Sequence, residues 1–420
     1  MLTEARAARD SITVEDKTPR YRWVMLALVW LVYLCFGMTG SSLAPLVDTI
    51  SRDLGISSTE MGLVLGAWQL VYVGSAYPMG TLIDRLGVRR SVGLGIGIVT
   101  LSLALRSVAV DFYSLFFIVA LHGIGGPIIS IGAPKMVALW FFGRDRGLGT
   151  GIYNSGPGVG AILVLAATNS VVVPLTGHWR LSFLVYGVAA LIATAIWWLL
   201  ARDRPAADPP SEASPAAPQV EAAPSAIETF KSLLHVGNVR IVLLLAFAAF
   251  FLSHGLTQWL PTVFIDQGIS PSNAGLLAAV PRIVGIPALL ILPYRLHHGL
   301  RGRALVVLMI VSAVATLGIA TLGGPALVGS LVVSGVARQM VVPMLTLVLM
   351  ETPGVGRRHI GAAGGMFFAV AEIGGFTGPL FVGLLRDLTN TLTSGLVLLV
   401  VVSGTLAITA FFITEGHRER

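Results

Sequence analysis

The chain is poor in charge and almost without cysteine. Only 12% of its 420 residues are Asp, Glu, Lys or Arg, whereas 55% are hydrophobic. A soluble domain carries about 25% charged residues, so a soluble globular enzyme is excluded. The same deficit excludes a disordered chain, which needs high charge and low hydropathy. Cys35 is the single cysteine and lies in an apolar run, which rules out a disulfide framework and a cysteine zinc site. Paired carboxylates, a metal-spaced His cluster and a phosphate-binding loop are all missing, so no catalytic set, metal or cofactor is expected. Gly93-Leu-Gly-Ile-Gly97 sits inside an apolar run and reads as a packing surface.

What the chain has in abundance is long apolar runs. A membrane-spanning helix needs about 20 mostly apolar residues. Such runs occur at 23–47, 61–83, 91–110, 112–142, 147–175 and 179–201, then at 239–266, 273–296, 301–322, 325–352, 359–387 and 391–414. The expected fold is therefore all-α, with twelve transmembrane helices in two six-helix bundles.

The net charge of +7 does not signal nucleic acid, because the cations are sorted by side. With both termini inside, 21 of the 28 Lys and Arg residues fall on the inner side, four outside (Arg52, Arg106, Arg180 and Arg386) and three within spans. This satisfies the positive-inside rule. The expected organisation is a cytoplasmic tail (1–22), a first bundle (23–201), a cytoplasmic linker (202–238), a second bundle (239–414) and a cytoplasmic tail (415–420). The first 22 residues lack the apolar core of a signal peptide. Six prolines among Ala, Ser and acidic residues in 202–226 predict disorder for the linker.

The two halves echo each other. Leu54-Gly-Ile-Ser-Ser-Thr-Glu-Met-Gly62 aligns with Gln267-Gly-Ile-Ser-Pro-Ser-Asn-Ala-Gly275 at an offset of 213 residues. A repeat in the same sense six spans apart implies an axis along the membrane normal, with a cavity between the halves near the midplane.

Between the second and third spans stands Gly80-Thr-Leu-Ile-Asp84-Arg85-Leu-Gly87-Val-Arg89-Arg90. Gly80 permits close helix approach, Asp84 suits a cation or a helix N-terminus, and Gly87 permits a tight turn. This stretch resembles the G-x-L-x-D-R-x-G-x-R-R/K signature of the major facilitator superfamily. The resemblance, with twelve spans and a central linker, covers essentially the whole chain. It implies a monomeric, rocker-switch transporter in which Gly80, Asp84, Arg85, Gly87, Arg89 and Arg90 form a cytoplasmic latch. The second-half echo keeps only Gly299 and Arg301.

The chain also departs from patterns common in that superfamily. The arginine often found on the fourth span, four residues before a Gly-x-Gly, is Val119 here. On the fifth span Gly156-Pro157-Gly158-Val-Gly160 partly resembles the Gly-Pro motif of drug/proton antiporters, and the eleventh span carries a similar Gly378-Pro379. Gly156, Pro157, Gly160, Gly378 and Pro379 are expected to be helix-packing positions.

Charges within spans are the sharpest functional signal, since a central Lys or Arg costs roughly 2.5–3.5 kcal/mol on insertion scales. Lys135, Arg282 and Arg338 face one deep acid, Glu372. Arg338 and Glu372 lie at matching depths and are an expected ion pair, which leaves Arg282 as the unpartnered cation and main anion ligand. The repeat sets Gln69 at the position equivalent to Arg282. Lys135 either snorkels to the inner headgroups or touches substrate. His122 and His254 carry a proton or serve as hydrogen-bonded structural residues, and Glu372 is the other proton-coupling candidate. Trp259 walls the cavity or belongs to the outer aromatic belt, and Gln258 is a polar candidate beside it.

Cations outnumber acids in the spans, so the expected substrate is a small anion: a monocarboxylate, a dicarboxylate or an inorganic anion, with or without a co-transported proton. Trp259-Leu-Pro261, Gly268-Ile-Ser270 and Ala274-Gly275 resemble the cyanate-transporter-like branch. Pro134-Lys135-Met-Val-Ala-Leu-Trp140-Phe and Arg146-Gly147 are similar to anion transporters of the nitrate and organic-acid groups. The alternatives are an efflux antiporter for larger hydrophobic solutes and a non-transporting sensor on the same scaffold. The expected location is the inner membrane of a bacterium.

Overall fold

The computed structural model describes residues 20–203, 226–291, 301–352 and 355–413. Most of both expected tails, residues 204–225 of the linker, and residues 292–300 and 353–354 of two basic loops lie outside them. Every regular element among the described residues is helical. Twelve long helices run in order: α1 (Arg22–Ser41), α2 (Ser58–Leu86), α3 (Val88–Leu105), α4 (Phe112–Trp140), α5 (Gly143–Ala167), α6 (Trp179–Leu200), α7 (Gly237–Asp266), α8 (Pro271–Ile291), α9 (Arg301–Thr321), α10 (Gly324–Glu351), α11 (Gly356–Thr389) and α12 (Leu392–Ala407). In hydrocarbon each backbone N–H and C=O must be satisfied within its own segment, which leaves helix as the outcome for such runs.

Among the described residues, eleven segments are long and apolar enough to span a membrane. The exception, α2, has 29 residues, or about 43 Å of helix, but is less apolar because Gln69, Ser75 and two tyrosines interrupt it. Its surroundings explain the composition: α2 packs on α4 in its own half and on α11 in the other, so much of it faces protein.

The helix ends follow local chemistry. A capping box between Ser57 and Glu60 starts α2, and Gly87, at φ +80°, turns the chain directly into α3. Asp111 and Ser114 form a second capping box at the start of α4. Those hydrogen bonds hold the Asp111 carboxyl below the usual carboxylate range. After α1 the chain continues through a short turn at Ala44–Leu46, where Pro45 sits, into the helix Val47–Leu54.

One segment differs from expectation. Within the linker read as disordered, Ala226–His235 is a helix. Leu233 is buried and Leu234 packs beside it against the second bundle, while Phe230 remains exposed. The proline count dominates the composition of the linker but stops at Pro224, and the apolar spacing beyond it is helical.

Two seams join the halves: α2 against α11, and α5 against α8. The 213-residue offset maps α2 onto α8 and α5 onto α11, so one seam is the repeat image of the other. Within the halves, close backbone approach carries the packing. A Cβ on Gly160 of α5 would lie 2.0 Å from the Leu34 carbonyl oxygen of α1, and one on Gly378 of α11 would lie 2.3 Å from the Phe251 oxygen of α7. Gly156 meets the backbone of Trp30, and Gly37 of α1 meets the backbone of Pro157.

The seams are closed at one end only. At the end remote from loop 84–90, Asn169 donates to the carbonyls of Pro45 and Pro271, Arg386 pairs with Asp48 and Asp266, and Asp387 caps α2. At the basic end, a cavity of about 1470 Å³ opens between α5 and helices α7, α9 and α10.

A cavity lined by cations

Arg146 and Arg301 stand at the mouth of the cavity, and His254, Arg338, Gln339 and Asn154 lie among its lining. Among the described lining residues there is no acid. Arg301 is ion-paired with Glu351, whereas Arg338 meets no carboxylate among the described residues. Its Nη1 donates to the Ser253 carbonyl at 3.4 Å and to the Thr257 hydroxyl at 3.3 Å, and its buried Nε has no partner.

The expected Arg338–Glu372 ion pair is not formed. α10 packs chiefly on α8 and α9, whereas α11 packs on α7 and α2; both side chains reach α7, but Arg338 is taken up by the oxygens of Ser253 and Thr257 and not by the carboxylate. Glu372 instead joins a cluster around Gly375: a Cβ there would lie 2.9 Å from Glu372 Oε2, 3.2 Å from Gln69 Cγ and 3.3 Å from His254 Cδ2. Glu372 is 6% exposed and its Oε2 accepts no hydrogen bond.

Gln69 and His254 meet across the halves, with Gln69 Nε2 donating to His254 Nδ1 at 3.1 Å. That bond places the His254 ring proton on Nε2. Arg282 does not itself line the cavity; it is half-buried, lies within electrostatic reach of His254 and Arg338, and has neither a hydrogen bond nor an ion pair among the described residues.

The remaining candidates disperse. Lys135 pairs with Asp84 of the loop signature at 2.5 Å and does not line the cavity. Arg89 donates to the Trp198 carbonyl at 3.3 Å, while Arg85 and Arg90 are exposed. Trp259 is fully buried and donates to the Pro379 carbonyl at 3.0 Å, so it packs between α7 and α11. Gln258 donates to the carbonyls of Gly40 and Leu65 at 3.3 and 3.4 Å, tying α7 to the opposite half. His122 is fully buried, stacks on Phe36 at 4.9 Å and meets Trp68 edge-on at 5.1 Å.

Sequence reasoning passed over several residues. Asn154 and Gln339 are polar residues in spans that charge counting ignores. Arg106, read as an outer-loop cation, is 1% exposed and donates to the Thr39 carbonyl at 2.8 Å and Ser42 Oγ at 2.7 Å. It satisfies the broken end of α1, a break that Pro45 announces in the sequence.

The comparisons with known proteins agree with this architecture. The family model described as Major Facilitator Superfamily matches residues 29–379. The chain belongs to the Major Facilitator Superfamily. Within the superfamily, it is 25% identical over 401 residues to the hexuronate transporter of Bacillus subtilis, covering 91% of each chain. It is 23% identical over 380 residues to a putative tartrate transporter of Agrobacterium vitis, covering 86% of each. It is 26% identical over 394 residues to a quinolone resistance transporter of Acinetobacter baumannii, covering 84% of each. Among solved superfamily structures, a bacterial homologue of the human lysosomal transporter Spinster, inward-facing and unoccupied, matches with a TM-score of 0.69 at 18% identity, covering 94% of this chain and 96% of that one. That likeness is one of fold. Membership makes this a multi-pass transport protein with a small-molecule substrate.

Proposed function

We propose that this protein carries a small organic anion across the inner membrane of a bacterium by alternating access, with both termini cytoplasmic. The observation that carries the reading is the Arg338 guanidinium, which borders the cavity and is held only by neutral oxygens. A carboxylate can take its free donors in a bidentate fashion, and a cavity whose described lining holds cations and no acid repels cations. The hexuronate and tartrate transporters among the relatives support the anion class. The positive-inside bias supports an orientation in which the cavity opens to the cytoplasm.

In this reading Arg338 and Arg282 hold the anion, and Gln69, His254 and Gln258 tie the halves together on its far side. Asp84, held by Lys135 within its own half, is the released form of the latch. The bundles 23–201 and 239–414 rock about the α2–α11 and α5–α8 seams. One chain encloses the cavity, which supports a monomer. Glu372 is the deep acid of the spans and is the group to carry a co-transported proton, with His254 beside it.

The test is transport of radiolabelled organic acids into proteoliposomes. Arg338→Gln is expected to lower the transport rate at sub-saturating substrate at least tenfold, about 1.4 kcal/mol; unchanged transport sinks the assignment. The quinolone resistance transporter among the relatives favours a second reading, efflux of larger solutes. Drug transport that is indifferent to Arg338→Gln would select it.

A further inference from the structure

We infer that the site is built for a dianion, a dicarboxylate whose two carboxylates are met by Arg282 and Arg338. The inference rests on the anion reading above and narrows it.

The two guanidinium groups come from helices that touch backbone to backbone where the arginines sit. A Cβ on Gly335 of α10 would lie 2.4 Å from the Pro281 carbonyl oxygen of α8, and one on Gly285 of α8 would lie 3.1 Å from the Gly335 oxygen and 3.3 Å from Gln339 Cβ. Arg282 follows Pro281, and Arg338 stands one turn beyond Gly335. Two like charges are thereby set on adjoining turns, and the charge of Arg282 is felt at Arg338.

Nothing among the described residues balances them. Among the described residues, neither forms an ion pair, no acid lines the cavity, and the one deep carboxyl, Glu372, turns toward Gln69 and His254. Removing an uncompensated cation from water is costly, and two side by side add their mutual repulsion. A monocarboxylate relieves one charge and leaves the other. A dicarboxylate neutralises both and gives each guanidinium a planar partner for paired hydrogen bonds.

The first half does not repeat this provision. The position equivalent to Arg282 is Gln69, which is occupied with His254, and α5 offers the cavity the neutral Asn154. Both cations therefore belong to the second half, and the neutral groups opposite suit hydroxyls or a carbon chain between the carboxylates.

The experiment uses the full chain, purified in detergent and assayed at pH 7.5, where both groups of a dicarboxylic acid are ionised. Affinities are measured by calorimetry for pairs matched in carbon number: glucarate against gluconate, and succinate against butyrate. The expected result is at least a tenfold advantage for the dianion in one pair. Arg282→Gln should collapse that advantage to within about threefold by weakening the dianion alone, and Arg282→Lys should retain part of it. Size-exclusion profiles check that the variants fold, and the wild-type ratio stands even where one does not. Equal affinity of wild type for the members of every pair that binds overturns the inference, as does equal weakening of both members by Arg282→Gln, which would mean one carboxylate bridging both arginines. Failure of the underlying anion reading looks different: no member of any pair binds.

Discussion

The Asp387 carboxylate takes both the backbone N–H of Thr59, at 2.7 Å, and its hydroxyl, at 2.6 Å, although the two residues lie in opposite halves of the chain. Asp387 also accepts from the Ser58 N–H at 3.0 Å. A helix begins with four N–H groups that its own carbonyls cannot reach. At the start of α2, Ser57 satisfies Glu60, and Asp387 satisfies the two before it. This helix end is thus fully capped only while the far end of the seam is closed, and parting the halves there exposes donors and carboxylate together. Arg386, beside Asp387, reinforces the closure by bridging Asp48 of the first half to Asp266 of the second.

Asp387→Asn should weaken this closure by about 1 kcal/mol, the usual worth of an N-terminal cap. The population with the far end open should rise about fivefold. Distances between spin labels placed at the far ends of α1 and α7 report it, and an unaltered distance distribution would refute the role.

Lys135→Gln should act in the opposite sense. It frees Asp84 from its own half and makes the carboxylate available to the other. Because both partners are largely exposed, the pair is worth only about 0.2–1 kcal/mol, so a shift of at most about fivefold toward a closed basic end is expected. Alkylation rates of a cysteine placed at Thr150, in the cavity lining, should fall by that factor.

Glu372→Gln should separate movement of substrate from movement of a proton. If Glu372 carries the proton, substrate exchange across a proteoliposome membrane persists in the variant, while accumulation driven by a pH gradient is lost. Undiminished gradient-driven accumulation would remove Glu372 from that role.

Gly160→Leu should prevent assembly of the first bundle, because its side chain would meet the Leu34 carbonyl. Overpacking typically costs about 1–3 kcal/mol, and a backbone atom yields less than a flexible side chain. Gly361→Leu, where an added Cβ meets nothing within 4 Å, is the control and should purify as a monodisperse protein in normal yield.

Trp259→Phe distinguishes a packing residue from a ligand. Loss of the N–H to the Pro379 carbonyl should lower stability by about 1 kcal/mol, seen as a reduced melting temperature, with substrate affinity unchanged. An affinity loss without destabilisation would return Trp259 to the cavity wall.

The number of spans and the basic loop signature were legible in the chain itself. Hydrocarbon leaves a spanning backbone one structure to adopt, so length and hydropathy suffice to find it, and cation counts sort the loops by side. The 213-residue repeat likewise announced two related halves, and the glycines of α5 and α11 were read as points of close approach. What those regularities do not contain is azimuth. Lipid and protein interior are both apolar, so the faces of a spanning helix differ little in composition and the sequence does not say which way a side chain points. Hence Arg338 bonds to neutral oxygens of α7 and not to Glu372, Lys135 found Asp84 at a separation of 51 residues, and Arg106, counted with the outer loops, proved to be buried against the broken end of α1. Sequence determined which segments are apolar enough to cross the membrane and which of them carry charges; the partners of those charges, and the cavity that Arg338 lines, were decided only when the helices packed.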